Sequence, residues 1–102
     1  MIIYISGRIS NNPNYKEEFE KAEDWLIKND YTPINPTRID IPNLTYNQYM
    51  ILGYELIKMS DAIFMLGGWQ DSKGACAELS FAKSLGKKVI YQKYYERGKD
   101  ND

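Results

Sequence analysis

The sequence has no histidine, one cysteine and almost no imbalance of charge. Without histidine, imidazole acid–base chemistry is excluded, and the commonest metal ligand is missing. Cys76 alone cannot form an intrachain disulfide. Thirteen basic residues against fourteen acidic ones give a formal net charge of −1. A general nucleic-acid binder shows a basic excess instead. No apolar run approaches the length of a membrane span. The opening MIIYISGRIS lacks the charged n-region of a secretion signal and turns polar too early. The expectation is a cytoplasmic protein that uses no metal and binds neither polymeric nucleic acid nor membrane.

What the sequence does contain is enough for one domain. Its 102 residues are 43% hydrophobic, which suits a single compact core. Ile2 to Ser6 reads as a buried strand ended by Gly7, and Gly7 to Pro13 as a loop. Asn14 is placed to cap a helix with Glu17 as its capping-box partner. Tyr15, Phe19, Ala22 and Leu26 then recur at helical spacing until about Asn29 or Asp30. Tyr31 to Asn35 is a second strand, and Pro33 argues for an edge position. Pro36 to Leu44 is a loop, and Thr45 caps a second helix whose apolar face carries Tyr49, Met50, Gly53, Tyr54 and Ile57. Asp61 to Leu66 is the third strand, Gly67 to Lys73 a loop, and Gly74 to Leu85 a third helix stopped by Gly86. Lys88 to Tyr91 is the fourth strand. Strands alternating with helices imply an α/β, doubly wound parallel sheet of four to five strands. The domain is expected over residues 1–91, with a charged tail over 92–102. Ligands of such sheets sit at the carboxyl ends of the strands.

The segment Gly67 to Val89 is the strongest site candidate. A strand runs into a glycine-containing loop and a helix start, where free N–H groups favour an anion. Gly74 lets the backbone approach a ligand, and Ser72 can donate to the same oxyanion. The competing reading is a βα turn whose glycines serve packing alone. Glu78 lies one turn into the helix. It is either a solvated carboxylate or, given Ala75, Cys76, Ala77 and Leu79 around it, a partly desolvated one. A carboxylate so held can act as nucleophile in glycosyl transfer. Tyr4 is a core strand tyrosine or a hydroxyl reaching the site. Arg8 is a solvated loop residue or a phosphate ligand. Trp69 stacks on a base, closes the pocket or joins a subunit interface. Asp61 is at the amino end of its strand and reads as structural. Cys76 reads as a packing residue, because no histidine can activate it. The nine tyrosines read as half-buried packing residues.

These residues fall in a familiar order: Tyr4-Ile5-Ser6-Gly7-Arg8, Asn35-Pro36, Tyr49-Met50, Ser60-Asp61-Ala62, Gly68-Trp69, Ser72-Lys73-Gly74-Ala75 and Glu78. The chain resembles the nucleoside 2-deoxyribosyltransferase-like superfamily over nearly its whole length, from Met1 to about Tyr91. Within it the chain is most similar to a short branch often encoded by bacteriophages, which places it in the host cytoplasm. The resemblance implies a flavodoxin-like sheet and cleavage of an N-glycosidic bond in a deoxynucleoside or its 5′-monophosphate. It implies Glu78 as nucleophile at C1′, Tyr4 as its orienter, and no cofactor. Ser72, six residues before the glutamate, matches a phosphate-binding serine. Arg8 and the Gly7 backbone join that cradle, and Trp69 covers the base. A homodimer or larger homo-oligomer is also implied.

One departure stands out. The family carries an aspartate eight residues before the one that opens strand three, and it helps protonate the departing base. Here that position is Gly53, counted from Asp61. Glu55 and Asp71 are the nearby acids that can replace it, and the glycine is expected to enlarge the pocket. Two classes of function follow. One is a nucleotide N-glycosidase, or a deoxyribosyltransferase-like enzyme, acting on a deoxynucleoside 5′-monophosphate. The other, favoured by Gly53, is a non-catalytic module that sequesters an intact nucleotide or an ADP-ribose-derived signal.

Overall fold

Strand β1 (Ile2–Ser6) sets out the architecture, because its side chains alternate between two buried faces. The computed structural model of the protein describes residues 1–92. Ile3 and Ile5 face helix α1 (Tyr15–Lys28), whose Phe19, Ala22 and Leu26 complete one core together with Phe64 and Ile90. Tyr4 looks the other way, into a second core formed with Ile57, Ile63, Met65, Leu79 and Ala82. That second layer belongs to helices α2 (Tyr46–Lys58) and α3 (Lys73–Ser84).

Strands β2 (Thr32–Ile34), β3 (Ala62–Met65) and β4 (Lys88–Tyr91) complete one parallel sheet, ordered β2-β1-β3-β4. This is the flavodoxin-like, doubly wound α/β sheet. Pro33, which cannot donate to a ladder, is on the edge strand as expected. The chain leaves β1 toward β2 on one side and returns to β3 on the other. The crevice between β1 and β3 at their carboxyl ends is therefore the switch point. At the opposite end, the Asp61 carboxylate accepts the Ile2 N–H at 2.7 Å, a structural role. No helix among the described residues is long and apolar enough to cross a membrane.

Two helix starts behave differently. Thr45 is extended, and its hydroxyl accepts the Gln48 N–H at 3.1 Å while the Gln48 side chain accepts the Thr45 N–H at 2.8 Å. Asn14, expected to cap α1 with Glu17, makes no side-chain cap, since its backbone (φ −100, ψ 14) is not extended. Asn12 organises that turn instead. Its side-chain carbonyl oxygen accepts the Asn14 N–H at 3.3 Å, and its amide donates to Arg8 O at 2.9 Å and to Glu18 Oε1 at 2.7 Å. Helix α3 begins at Lys73, one residue before the expected start, and ends at Ser84. Gly86 then takes the left-handed conformation (φ 71). The expected tail over 92–102 lies outside the described residues, apart from Gln92.

The loop after β2 is anchored to α1. The Arg38 guanidinium forms two hydrogen bonds with the buried Glu23 carboxylate and holds that carboxyl below its usual range. A lowered folded value means that the pair stabilises the fold above the ordinary carboxyl range, near pH ~4.3, and stops doing so as pH falls through the folded value. Because the Thr45 box fixes the first turn of α2, Thr45→Ala is expected to cost about 1 kcal/mol in a urea titration. Thr45→Ser should be nearly neutral in the same measurement.

Candidate functional site

The site is built around one carboxylate. Glu78 projects from α3 toward the sheet and is 9% exposed. Tyr4 and Ser6, two residues apart on β1, share the face beneath it. The Tyr4 hydroxyl donates to Glu78 Oε2 at 2.6 Å, and the Ser6 hydroxyl donates to Oε1 at 2.7 Å. Burial pushes the Glu78 carboxyl above its usual range, and the hydrogen bonds from Tyr4 and Ser6 pull it part of the way back. Burial and the adjacent carboxylate also push the Tyr4 phenol far up, so Tyr4 keeps its proton and remains a donor. Ser6 does not stand out in the sequence as a site residue. The available signal is its place two residues after Tyr4 on a strand, which puts both on one face.

Gly53 is the fourth element. It is buried in α2, and a Cβ built there would be 2.4 Å from Glu78 Oε2 and 3.0 Å from the Tyr4 hydroxyl. The expected enlargement of the pocket is therefore corrected. The space a side chain would fill is already taken by the nucleophile candidate. Glu55 is corrected as well: it pairs with Lys58 at 3.1 Å on the exposed face of α2 and does not line the cavity.

A cavity of about 680 Å³ opens above these groups, a size that suits a nucleotide. Tyr4, Ser6, Gly7, Arg8, Ser72, Gly74 and Glu78 all line it, so seven residues from β1, α3 and their loops converge. Gly7 is buried, and a Cβ there would lie 2.8 Å from Leu66 Cδ1, so its glycine is demanded by the packing of β1 on the end of β3. Ser72 is the N-cap of α3. Its hydroxyl oxygen accepts the Ala75 N–H at 3.1 Å, which leaves the hydroxyl proton to donate elsewhere. The Arg8 guanidinium donates to the carbonyls of Ser10 and Asn11, at 3.3 and 3.1 Å, and so also shapes its own loop. At Gly74 a Cβ would make only ordinary contacts, 3.4 Å from the Tyr46 hydroxyl and 3.5 Å from Met50 Sδ.

The loop from β3 to α3 divides in two. Asp71 to Gly74 face the cavity, whereas Trp69 does not line it. The Trp69 ring packs on Tyr91 with centroids 5.9 Å apart, and the nearby Gly67 N–H donates to Gln92 Oε1 at 2.8 Å. This first half of the loop is tied to the end of β4, so a base-covering Trp69 is not what the fold provides. The cavity also gathers Lys16, Asp40, Tyr46, Tyr49 and Lys73, none of which stands out as a site residue in the sequence. No group of residues suited to a metal ion occurs among the described residues.

Residues 1–91 match the model of DUF4406, a domain of unknown function. The chain belongs to the DUF4406 family. Three solved structures show where this DUF4406 chain stands among known folds. A 2-deoxyribosyltransferase from Bacillus psychrosaccharolyticus is 24% identical with a TM-score of 0.72, over 89% of this chain and 71% of that one. A 2-deoxyribosyltransferase from Leishmania mexicana is 23% identical with a TM-score of 0.69, over 88% and 62%. The CMP N-glycosidase of Clostridium botulinum is 21% identical with a TM-score of 0.64, over 89% and 67%. The DUF4406 chain thus shares their fold and spans between 62% and 71% of their lengths. No curated protein matches the sequence.

Two predictions test the grip on Glu78. A glycine-to-alanine change inside a helix ordinarily stabilises by about 1 kcal/mol. Here Gly53→Ala should instead cost about 1–3 kcal/mol through crowding, and the gain should return in a Glu78→Ala background, as read by a double-mutant cycle. Because the folded Glu78 binds its proton more tightly than the unfolded chain does, stability falls as pH rises through its folded value. Glu78→Gln should remove that fall in urea titrations run across the acidic range. A tenfold difference in proton affinity between the folded and unfolded chain corresponds to about 1.4 kcal/mol. Ser6→Ala should raise the Glu78 value further in a 13C NMR titration of the side-chain carboxyl.

Proposed function

We propose that this protein is an N-glycosidase acting on a deoxynucleoside 5′-monophosphate, with Glu78 as its nucleophile. The observation that carries the reading is the buried carboxylate held by Tyr4 and Ser6 at the floor of a nucleotide-sized cavity. Two donors on separate oxygens set the orientation of the carboxylate and leave a lone pair on each oxygen to attack. Its raised proton affinity reflects poor solvation, which makes a carboxylate a better nucleophile toward an electron-poor C1′. The fold it shares with the 2-deoxyribosyltransferases and the CMP N-glycosidase supports this class of chemistry.

In the proposed reaction a Glu78 oxygen bonds to C1′ as the C1′–N bond breaks and the base leaves with the bonding pair. Water then cleaves the sugar ester, giving 2-deoxyribose 5-phosphate and restoring the carboxylate, and the proton this releases balances the one taken up by the departed base. Tyr4 and Ser6 hold the glutamate. The Ser72 hydroxyl, the N–H groups at the start of α3 around Gly74, the Gly7 backbone and Arg8 cradle the phosphate, with Lys73 beside them. The protein works as a homo-oligomer and needs no cofactor for these steps.

The test is chromatography of deoxynucleoside monophosphates, the corresponding nucleosides and ADP-ribose derivatives after incubation with the protein, with Glu78→Gln alongside. Free base should form from a monophosphate with the native protein, and Glu78→Gln should slow it by at least ~10³-fold, as expected when a nucleophile is lost. An intact nucleotide recovered from the denatured protein, with no base released, would replace the enzyme with a binding module.

A further inference from the structure

We infer that the base this site releases carries a positive charge on its glycosidic ring, as a pyridinium or an N7-alkylated purinium does. The inference rests on the glycosidase reading and names the substrate class of that same site. A neutral base that leaves C1′ takes the bonding pair with it and needs a proton, and a positioned acid supplies that proton at a gain of about 10²–10⁴-fold. A cationic ring needs none.

The cavity is built for the second case. Glu78 accepts hydrogen bonds on both oxygens and is placed as the nucleophile, not the acid. The α2 residue that meets it is Gly53, which has no side chain to donate a proton, and even a methyl group there would come within 2.4 Å of Oε2. Among the described residues, the other carboxyl groups lining the cavity are those of Asp40 and Asp71, and both are exposed on loops. A carboxyl group is made into an acid at neutral pH by burial, and of the three only Glu78 is buried.

The lining also complements a charged ring. The segment from β2 into α2 brings Asp40, Tyr46 and Tyr49 to the cavity, and the Tyr49 hydroxyl donates to Ile41 O at 3.1 Å, tying the helix to the loop that carries Asp40. Tyrosine faces and carboxylates attract a cationic ring. The cations Arg8, Lys16 and Lys73 come instead from the end of β1 and the starts of α1 and α3, where they suit a phosphate. A nucleotide that carries both an anionic phosphate and a cationic base finds partners for each among these lining residues.

The step balances without an acid. One Glu78 oxygen bonds to C1′ while the C1′–N pair passes to the ring nitrogen and cancels its charge, so a neutral base departs. Water then cleaves the ester, which restores the carboxylate and releases one proton.

The experiment compares kcat/KM for N7-methylguanosine 5′-monophosphate with that for GMP, in ribose and 2′-deoxyribose forms. It includes nicotinamide mononucleotide, with uncatalysed base loss subtracted and Glu78→Gln as control. The methylated purine should exceed its neutral partner by about 10²-fold or more, and its release should vanish in Glu78→Gln. A ratio below about 10²-fold, with both reactions dependent on Glu78, would overturn the charged-base inference and leave the glycosidase standing. Base release from neither these compounds nor the neutral deoxynucleotides would overturn both.

Discussion

The structure depends on the burial of one carboxylate. Taking an ion out of water costs several kcal/mol unless hydrogen bonds replace the lost hydration. Glu78 meets that demand with a donor on each oxygen, both from the same strand face. The remaining requirement is room, which Gly53 provides by presenting bare backbone to Oε2. Remove any one of these and the carboxylate is either unsatisfied or displaced. Because Tyr4 and Ser6 pair in register with Ile63 and Met65, the site is also tied to the central β1–β3 ladder.

The parallel topology places this arrangement where a ligand can reach it. Reversal of strand order between β1 and β3 opens a crevice at their carboxyl ends, and the loops that follow β1, β2 and β3 all contribute to its wall. Each loop is held from outside the cavity. Arg38 pairs with Glu23 on α1, Asn12 organises the turn after Arg8, and the Gly67–Trp69 segment is fastened to the end of β4. The wall is therefore anchored to the scaffold, while its inward groups remain available. The transferases and the N-glycosidase, at 21–24% identity, share this fold.

A tension between stability and chemistry runs through the site. Burial raises the proton affinity of the Glu78 carboxylate, and the hydrogen bonds from Tyr4 and Ser6 lower it part of the way back. Helix α2 forgoes the stability an alanine would add at position 53 so that the carboxylate can sit against it.

Much of the fold was legible in the sequence because it follows from local chemistry. Among the described residues, short strand-like runs and helical spacing placed the four strands and three α-helices to within a residue or two, Pro33 marked the edge, and Gly86 the helix stop. Glu78, Ser72 and Gly74 were singled out from their place at a helix start, and Tyr4, Gly7 and Arg8 by the family resemblance; the fold brings all six to one cavity. Tertiary structure alone decided the rest. Asn14 is a good capping residue by type, yet its backbone conformation gave that turn to Asn12. Trp69 has the right neighbours in sequence but is drawn to Tyr91, which is remote in the chain. Gly53 reads as a missing side chain when taken alone. Only the packing of α2 on α3 makes it a seat for the carboxylate, because the distance between residues 25 positions apart is set by the fold and not by local spacing.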